Sequence, residues 1–543
     1  MTRPKIARIF PALYCFWIVA AVLYSPKATA LSDKFRCMWR DDPSTTCIIG
    51  WNQASGNNPI IYFDVTDQKQ IAAKYATQQK PDKVVLVKGM NSYFARLKGL
   101  KPSTVYFFVV KDSEGVSRRL SFRTAPADAA ERISIIAGGD SRNQRAACQQ
   151  ANRLVSKLRA HCVLFGGDMT SADDPAEWKQ WLDDWQLTIA SDGRMTPIVV
   201  SRGNHEQSNQ ILVDLFDVAA PNIAYSFSVG GDLLRIFTLN SMLPPGGEQK
   251  IWFEKDLIAN KNVTWKIAQY HYPMVPHSSA KTKTIEQIVH WAPLFQQYRV
   301  AVGIECDAHV AKMTQPIRPD ASSNNGFVKD EKNGTTYVGE GGWGAPLRRN
   351  DINHSWTCGS GSFNHFNLLW IDRNKIEIRT VKTENSDDVK ESTNPFQLPE
   401  GIELWSSCNG EVTTIGKEEK IAAKPTPPPV VASGSNSAKP QLPTTLPPAN
   451  GESTADVREW EKLPKITPDA KGVIGFQYVL NEPANVSIRL HDPKMNAVSS
   501  YDIPNQKEGN YAKAFSVSTL PRGRYLLIVR GNKKLVHRFL VVK

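Results

Sequence analysis

Residues 133–140 read ISIIAGGD, residues 162–168 read CVLFGGD, and residues 196–206 read TPIVVSRGNHE. Each is a short apolar run that breaks at glycine and ends on a residue able to bind a metal. A run of this length, bounded by glycine and rich in β-branched residues, fits a strand buried on both faces. Between the first two runs, Ala147, Ala151, Leu154, Val155 and Leu158 share one face of a helix. A Trp-rich helix over 175–190 precedes the third. LLRIFTLNS (233–241), WKIAQYHYP (265–273) and VAVGIECDAHV (300–310) continue the alternation. Strand–helix alternation predicts an α/β layered domain over 131–415. Its polar motifs all fall at the C-terminal ends of strands, where open α/β sheets build their sites.

Outside this block the periodicity changes. Residues 31–126 hold TCIIGW (46–51), KVVLV (83–87) and TVYFFVV (104–110), separated by turn residues and without helical spacing. That pattern predicts a small β-sandwich. The segment LKGLKPSTVY (97–106) resembles the corner before a late strand in fibronectin type III domains, and the N-terminal domain of purple acid phosphatases is similar. Residues 416–456 are rich in Pro, Ser, Thr, Lys and Ala and read as an extended linker. Residues 457–543 alternate again, as in NVSIRL (485–490) and RYLLIV (524–529), and predict a C-terminal Ig-like β-sandwich. The run LPRGRY (520–525) resembles the C-terminal sorting domains of type IX secretion substrates, as well as generic Ig-like modules. Attachment to a cell surface through this domain is the expectation that follows.

The chain opens with Arg3, Lys5 and Arg8, an apolar run from Leu13 to Tyr24, and Ala28-Thr29-Ala30. This reads as a signal peptide over 1–30, too short in its apolar part to span a bilayer, with an uncleaved N-terminal anchor as the alternative. A secreted, periplasmic or cell-surface protein is expected, with no transmembrane segment in the mature chain. The formal charge is +13, of which Arg3, Lys5, Arg8 and Lys27 contribute four. The excess favours anionic substrates or surfaces, with ordinary solvated charge as the alternative. Its dispersion, with no arginine-rich run, gives no indication of specific nucleic-acid binding. Cysteines 37, 47, 148, 162, 306, 358 and 408 remain after the signal, an odd number. Cys37 and Cys47 look like neighbours on a hairpin, and Cys148–Cys162 and Cys358–Cys408 are further candidate pairs.

Five motifs occur in order: Gly-Gly-Asp140, Gly-Gly-Asp168, Gly203-Asn204-His205-Glu206, His271-Tyr-Pro273 and Asp307-Ala-His309. Alone, each is more often a turn or a core histidine. Together, the chain over 31–380 resembles the calcineurin-like metallophosphoesterases, and among them the purple acid phosphatases. The resemblance implies hydrolysis of phosphate esters at two metal ions, each divalent or trivalent, drawn from Fe, Mn, Zn, Mg and Ca. Two such ions clamp a phosphoryl group and activate a water for in-line attack, and a carboxylate must bridge them to offset their repulsion. By the match to the second motif, Asp168 is the bridge. Asp140 and His309 then complete one site, and Asn204, His271 and Asp307 the other.

His205 follows a metal-binding residue and is implied to stabilise the transition state or protonate the leaving oxygen. His277, six residues after His271, is a second candidate acid. Arg142 is positioned to donate to a phosphate, with an ordinary surface arginine as the alternative. Glu206 reads as a partner of the ligands rather than a ligand. The loop GGWGAPLRR (341–349) offers Trp343 for stacking and Arg348 for phosphate, or else a structural turn.

Three positions depart from the family. Ser171 stands where purple acid phosphatases place an iron-binding Tyr, Arg142 where many relatives place a His, and Asp307 where the last motif has His. Water or Asn143 is then expected to fill out the first site, unless it binds its ion weakly, and the second becomes harder and more anionic, or else degenerate. Two other functions fit the same residues: a catalytically degenerate binding or adhesion protein, and a phosphodiesterase or nucleotidase rather than a monoesterase.

Overall fold

The computed structural model describes residues 32–323, 325–417 and, with short gaps, 465–543. The expected signal peptide at 1–30 and nearly all of the expected linker at 416–456 lie outside the described residues.

ISIIAG becomes the strand Ile133–Gly138, buried throughout, as its unbroken apolar character requires. It pairs in parallel with Cys162–Phe165, which pairs in parallel with Ile198–Val200. On the other side Ile133–Gly138 meets His365–Ile371 antiparallel, followed outward by Lys375–Lys382. A second, seven-stranded sheet holds Tyr225–Val229, Leu234–Thr238, Trp265–Gln269, Val302–Glu305, Thr336–Gly339, Ala311–Thr314 and Thr357–Gly361 in that order. The sheets face each other through Ile135, Ala137, Leu164 and Val199 on one side and Ile236, Ile267, Val302 and Ile304 on the other.

Helices cover the outer faces. Arg145–Leu158 buries Ala151, Leu154, Val155 and Leu158, and Pro175–Trp185 buries Trp178, Trp181 and Trp185. Pro175–Trp185 starts where it does because Asp174 accepts from the backbone N–H groups of Ala176 and Glu177 and proline takes the first helical position. The result is the expected α/β class, a layered β-sandwich with flanking helices.

The N-terminal region is a β-sandwich as expected, built around Phe35, Trp51, Phe63, Leu97, Phe108 and Phe122. Its strand Ser32–Met38 pairs in parallel with Ile198–Val200 at Met38↔Ile198, so one eleven-stranded sheet runs through both regions. Cys37 and Cys47 lie on adjacent antiparallel strands with Sγ atoms 3.2 Å apart, both as free thiols. Cys358–Cys408 is a disulfide. Cys148 and Cys162 are both free, so that expected pair is corrected. Cys148 is on a helix and Cys162 on a strand, and they pack into different cores.

Residues 465–543 form a separate two-sheet β module. Its core contains Phe476, Tyr478, Val486, Ile488, Leu527 and Val529. No helix among the described residues is long and apolar enough to cross a membrane.

Candidate metal centre

Loops at the C-terminal ends of strands from both sheets supply the site. Asp140 follows Ile133–Gly138, Asp168 follows Cys162–Phe165, and Asn204 and His205 follow Ile198–Val200. From the second sheet, His271 follows Trp265–Gln269, and Asp307 and His309 follow Val302–Glu305. Asp140, Asp168, Asp307 and His309 all have left-handed backbones, with φ of 60°, 55°, 70° and 54°. Asp and His tolerate that region better than most residues, but each still costs about 1–3 kcal/mol. Four such residues in one place mark a loop set shaped for function rather than for stability. At Gly341, with φ of 80°, an added Cβ would sit 1.8 Å from Asp140 Oδ2, so only glycine permits that approach.

The donor atoms gather into two groups that share Asp168. In the first, with Asp140, His309 Nε2 is 3.3 Å from Asp140 Oδ1. In the second, with Asp307, His271 Nε2 is 3.4 Å from Asp168 Oδ1, 3.6 Å from Asp307 Oδ1 and 3.0 Å from Asn204 Oδ1. The imidazoles are aimed. His309 Nδ1 lies 2.8 Å from the Pro346 carbonyl, and His271 Nδ1 lies 2.9 Å from the Gly166 carbonyl. A carbonyl only accepts, so each Nδ1 carries the proton and each Nε2 faces the cluster.

Asp140 Oδ1, Asp168 Oδ2 and His309 Nε2 are buried and have no hydrogen-bond partner among the described residues. Buried polar atoms rarely go without a hydrogen bond, and three on the residues of one donor group fit a bound cation. The electrostatics agree. Burial disfavours a charged His271, yet the carboxylates of Asp168 and Asp140 outweigh it and hold its pKa well above the usual imidazole range. Burial also opposes ionisation of Asp168, and His271 and His205 overcome this, keeping its carboxyl well below the usual range. The cluster demands positive charge, and the N/O donor set suits a divalent or trivalent ion.

Around this centre, Glu206 is fully buried and accepts from the backbone N–H groups of Asp168, Met169 and Gly203. It thereby clamps two ligand loops together, while burial and the nearby Asp168 push its pKa up to about 7. His205 donates its backbone N–H to Asp168 Oδ1 at 2.8 Å. Its Nδ1 contacts the Ser171 carbonyl at 2.5 Å, which turns Nε2 toward Asp168 Oδ2, 3.8 Å away. Arg142 stands on the same side, with Nη1 3.6 Å from Asp168 Oδ2.

The structure thus brings together Asp140, Arg142, Asp168, Asn204, His205, His271, Asp307 and His309. Arg348 reaches the centre only indirectly, donating from Nη1 to the Asp307 backbone carbonyl at 2.5 Å. Two expectations are corrected. Trp343 is fully buried, packs on Phe165, Trp185 and Phe366, and donates from Nε1 to Asn152 Oδ1 at 2.8 Å, so it offers no face to a substrate. His277 is fully buried, with Nε2 2.7 Å from Thr357 Oγ1 and Nδ1 facing Glu340 Oε1 at 3.4 Å, so it has no path to a leaving group. Asn143 is also committed elsewhere, its Oδ1 accepting from Ser171 N at 2.7 Å. Sequence reasoning missed Lys281, whose ammonium donates to Asp307 Oδ1. It missed as well the buried Glu305–Lys312–Glu340 network behind the last motif.

Comparison with known proteins finds the same fold. Residues 33–124 match the purple acid phosphatase N-terminal domain, and residues 138–303 match the calcineurin-like phosphoesterase domain. A probable purple acid phosphatase 20 of Arabidopsis thaliana is 22% identical over 367 residues, covering 63% of this chain and 82% of that protein. Purple acid phosphatase PPD1 from yellow lupin (Lupinus luteus) seeds superposes with a TM-score of 0.56 at 17% identity, covering 71% of this chain and 74% of that one. PhoD superposes with a TM-score of 0.52 at 11% identity, over 71% of this chain and 92% of that one.

Proposed function

We propose that this purple acid phosphatase-like metallophosphoesterase is an exported enzyme that hydrolyses phosphate esters at a two-metal centre. The observation that carries the reading is a group of three buried donor atoms without hydrogen-bond partners beside a second donor group that shares Asp168. Asp140, Asp168 and His309 would hold one ion, and Asp168, Asn204, His271 and Asp307 the other. Bound there, the ions would polarise phosphate oxygens and lower the pKa of water.

The chain's own groups do the remainder. The Nδ1–H of His205 against the Ser171 carbonyl aims Nε2 at the cleft, and as an imidazolium the ring would donate a proton from Nε2 to the departing oxygen. Arg142 presents a guanidinium beside Asp168, suited to two charge-assisted bonds to phosphate. Glu206 fixes the spacing of the Asp168 and Asn204 loops through three backbone N–H groups.

Export rests on the basic start, the apolar run and Ala28-Thr29-Ala30. The Cys358–Cys408 disulfide supports it, because such bonds persist in oxidising compartments. Attachment through the C-terminal module is part of the same proposal. The test is metal analysis of the secreted protein, paired with turnover of p-nitrophenyl phosphate and bis-p-nitrophenyl phosphate. About two ions per chain and chelator-sensitive turnover are expected. A protein without metal and inert on both esters would be a binding module instead.

A further inference from the structure

Lys281 lies in the loop between the strand Trp265–Gln269 and the helix Ile285–His290. Its Nζ is 2.5 Å from Asp307 Oδ1, the same oxygen that lies 3.6 Å from His271 Nε2. The loop is held in place on both sides of this contact. Lys281 N donates to the Ser278 carbonyl at 3.1 Å, and Ser279 donates from N and Oγ to the two oxygens of Asp351 at 2.8 and 2.7 Å. Asp307 is almost wholly buried, its side chain 6% exposed, whereas that of Lys281 is 25% exposed and so has a way out to solvent. Three carboxylates meet at the centre, from Asp140, Asp168 and Asp307. Arg142 faces Asp168 only at 3.6 Å, while Lys281 makes a direct hydrogen bond to Asp307.

We propose that Lys281 is a built-in cation of the second metal site, offsetting the carboxylate of Asp307 and competing with a metal ion for its oxygen. The inference rests on the two-metal reading and goes beyond it by making the two sites unequal. An ammonium on Asp307 occupies a lone pair that the ion needs, and its charge repels the ion. The ion held by Asp168, Asn204, His271 and Asp307 therefore binds more weakly than the ion held by Asp140, Asp168 and His309. An ion binding there would have to displace the Lys281 ammonium, whose side chain has a way out to solvent.

The experiment titrates Mn2+ alone into metal-stripped full-length protein by calorimetry, for wild type, Lys281→Met and Lys281→Arg. Methionine keeps the reach of the side chain without its charge. Wild type should bind in a tight and a weak step. Lys281→Met should tighten the weak step by about tenfold and leave the tight step in place, which also reports an intact fold. Lys281→Arg should keep the weak step weak. A weak step that is unchanged or weaker in Lys281→Met, or a single step in both proteins, overturns the role of Lys281 while leaving metal binding intact. No Mn2+ uptake by any of the three sinks the two-metal reading itself, and this inference with it.

Discussion

Replacing His205 by alanine, beside Asp168 by alanine, separates the chemistry of the centre from its metal content. His205 belongs to neither donor group; its Nε2 stands 3.8 Å from Asp168 Oδ2, and its side chain is 26% exposed to the cleft. Its only bond to a ligand is the backbone N–H to Asp168 Oδ1, which alanine retains. The substitution should therefore leave bound metal unchanged and remove only the group poised at the leaving oxygen. A positioned acid contributes on the order of 10²–10⁴ in rate, roughly 3–5 kcal/mol of barrier. The loss should be largest for esters with poor leaving groups, because a good leaving group departs without a proton. Asp168→Ala takes the shared member from both groups, so metal content and turnover should fall together. The assay is metal analysis by mass spectrometry, with kcat on a series of aryl phosphates of graded leaving-group acidity. If His205→Ala strips metal as fully as Asp168→Ala, or loses rate equally across the series, the assigned roles are wrong.

Three further outcomes follow from individual side chains. Trp343→Ala should cost about 3–5 kcal/mol of stability in a thermal or denaturant melt, because a fully buried indole and its bond to Asn152 are lost; a stacking residue would instead change KM at constant stability. Burial lowers the pKa of His161, whose Nδ1 accepts from Ser134 N, to about 4. A depressed folded pKa gives stability that is complete above the unfolded value of about 6.5 and drains away as pH falls toward 4, worth about 1–3 kcal/mol for a residue that is only half-buried by its surface. His161→Asn should accordingly flatten that part of the plot of Tm against pH. Ser171 contributes a carbonyl to His205 and no phenolate, so the oxidised, iron-loaded protein should lack a tyrosinate charge-transfer band in its visible spectrum.

The strands were legible because burial on both faces leaves a plain mark: ISIIAG and CVLF contain almost nothing polar, and both are wholly buried. Their glycine-terminated ends announced the loops, and the ligand loops duly meet. What was not legible depended on direction and long-range register. The glycines around Trp343 suggested a loop over the cleft. That loop does pass Asp140 at Gly341, but two residues later the chain turns inward, and Trp343 fills the space beside Gly138, where a Cβ would meet its ring at 2.9 Å. His277 was placed by its distance from His271 along the chain, yet its ring faces away from the centre into Glu340 and Thr357. No local signal announces that Met38 pairs with Ile198, since parallel pairing across such a separation leaves no turn to read. Lys281 sits in a loop without periodicity, where one lysine looks like any other.

The departures from the family acquire a common sense once the loop at 168–171 is seen in place. Ser171 cannot bind metal as a tyrosine would, but its backbone carbonyl fixes the ring orientation of His205 and its Oγ lies 3.4 Å from Arg142 Nε. Asn143, the other candidate for the empty role, spends its oxygen on Ser171 N and so holds that loop in position. The residues that might have filled the first donor group are therefore turned to aiming the acid and the guanidinium. Asp140, Asp168 and His309 remain as its protein donors. A centre with few protein donors leaves more of an ion's shell to water and phosphate, which is the arrangement a hydrolytic site requires and a structural one avoids. At the opposite end, Asp307 adds a carboxylate and Lys281 adds the charge that offsets it. The same chain thus leaves one side of the centre open to exchange with solvent ligands and makes the other side compete for its ion, and both follow from single residues at 143, 171, 281 and 307.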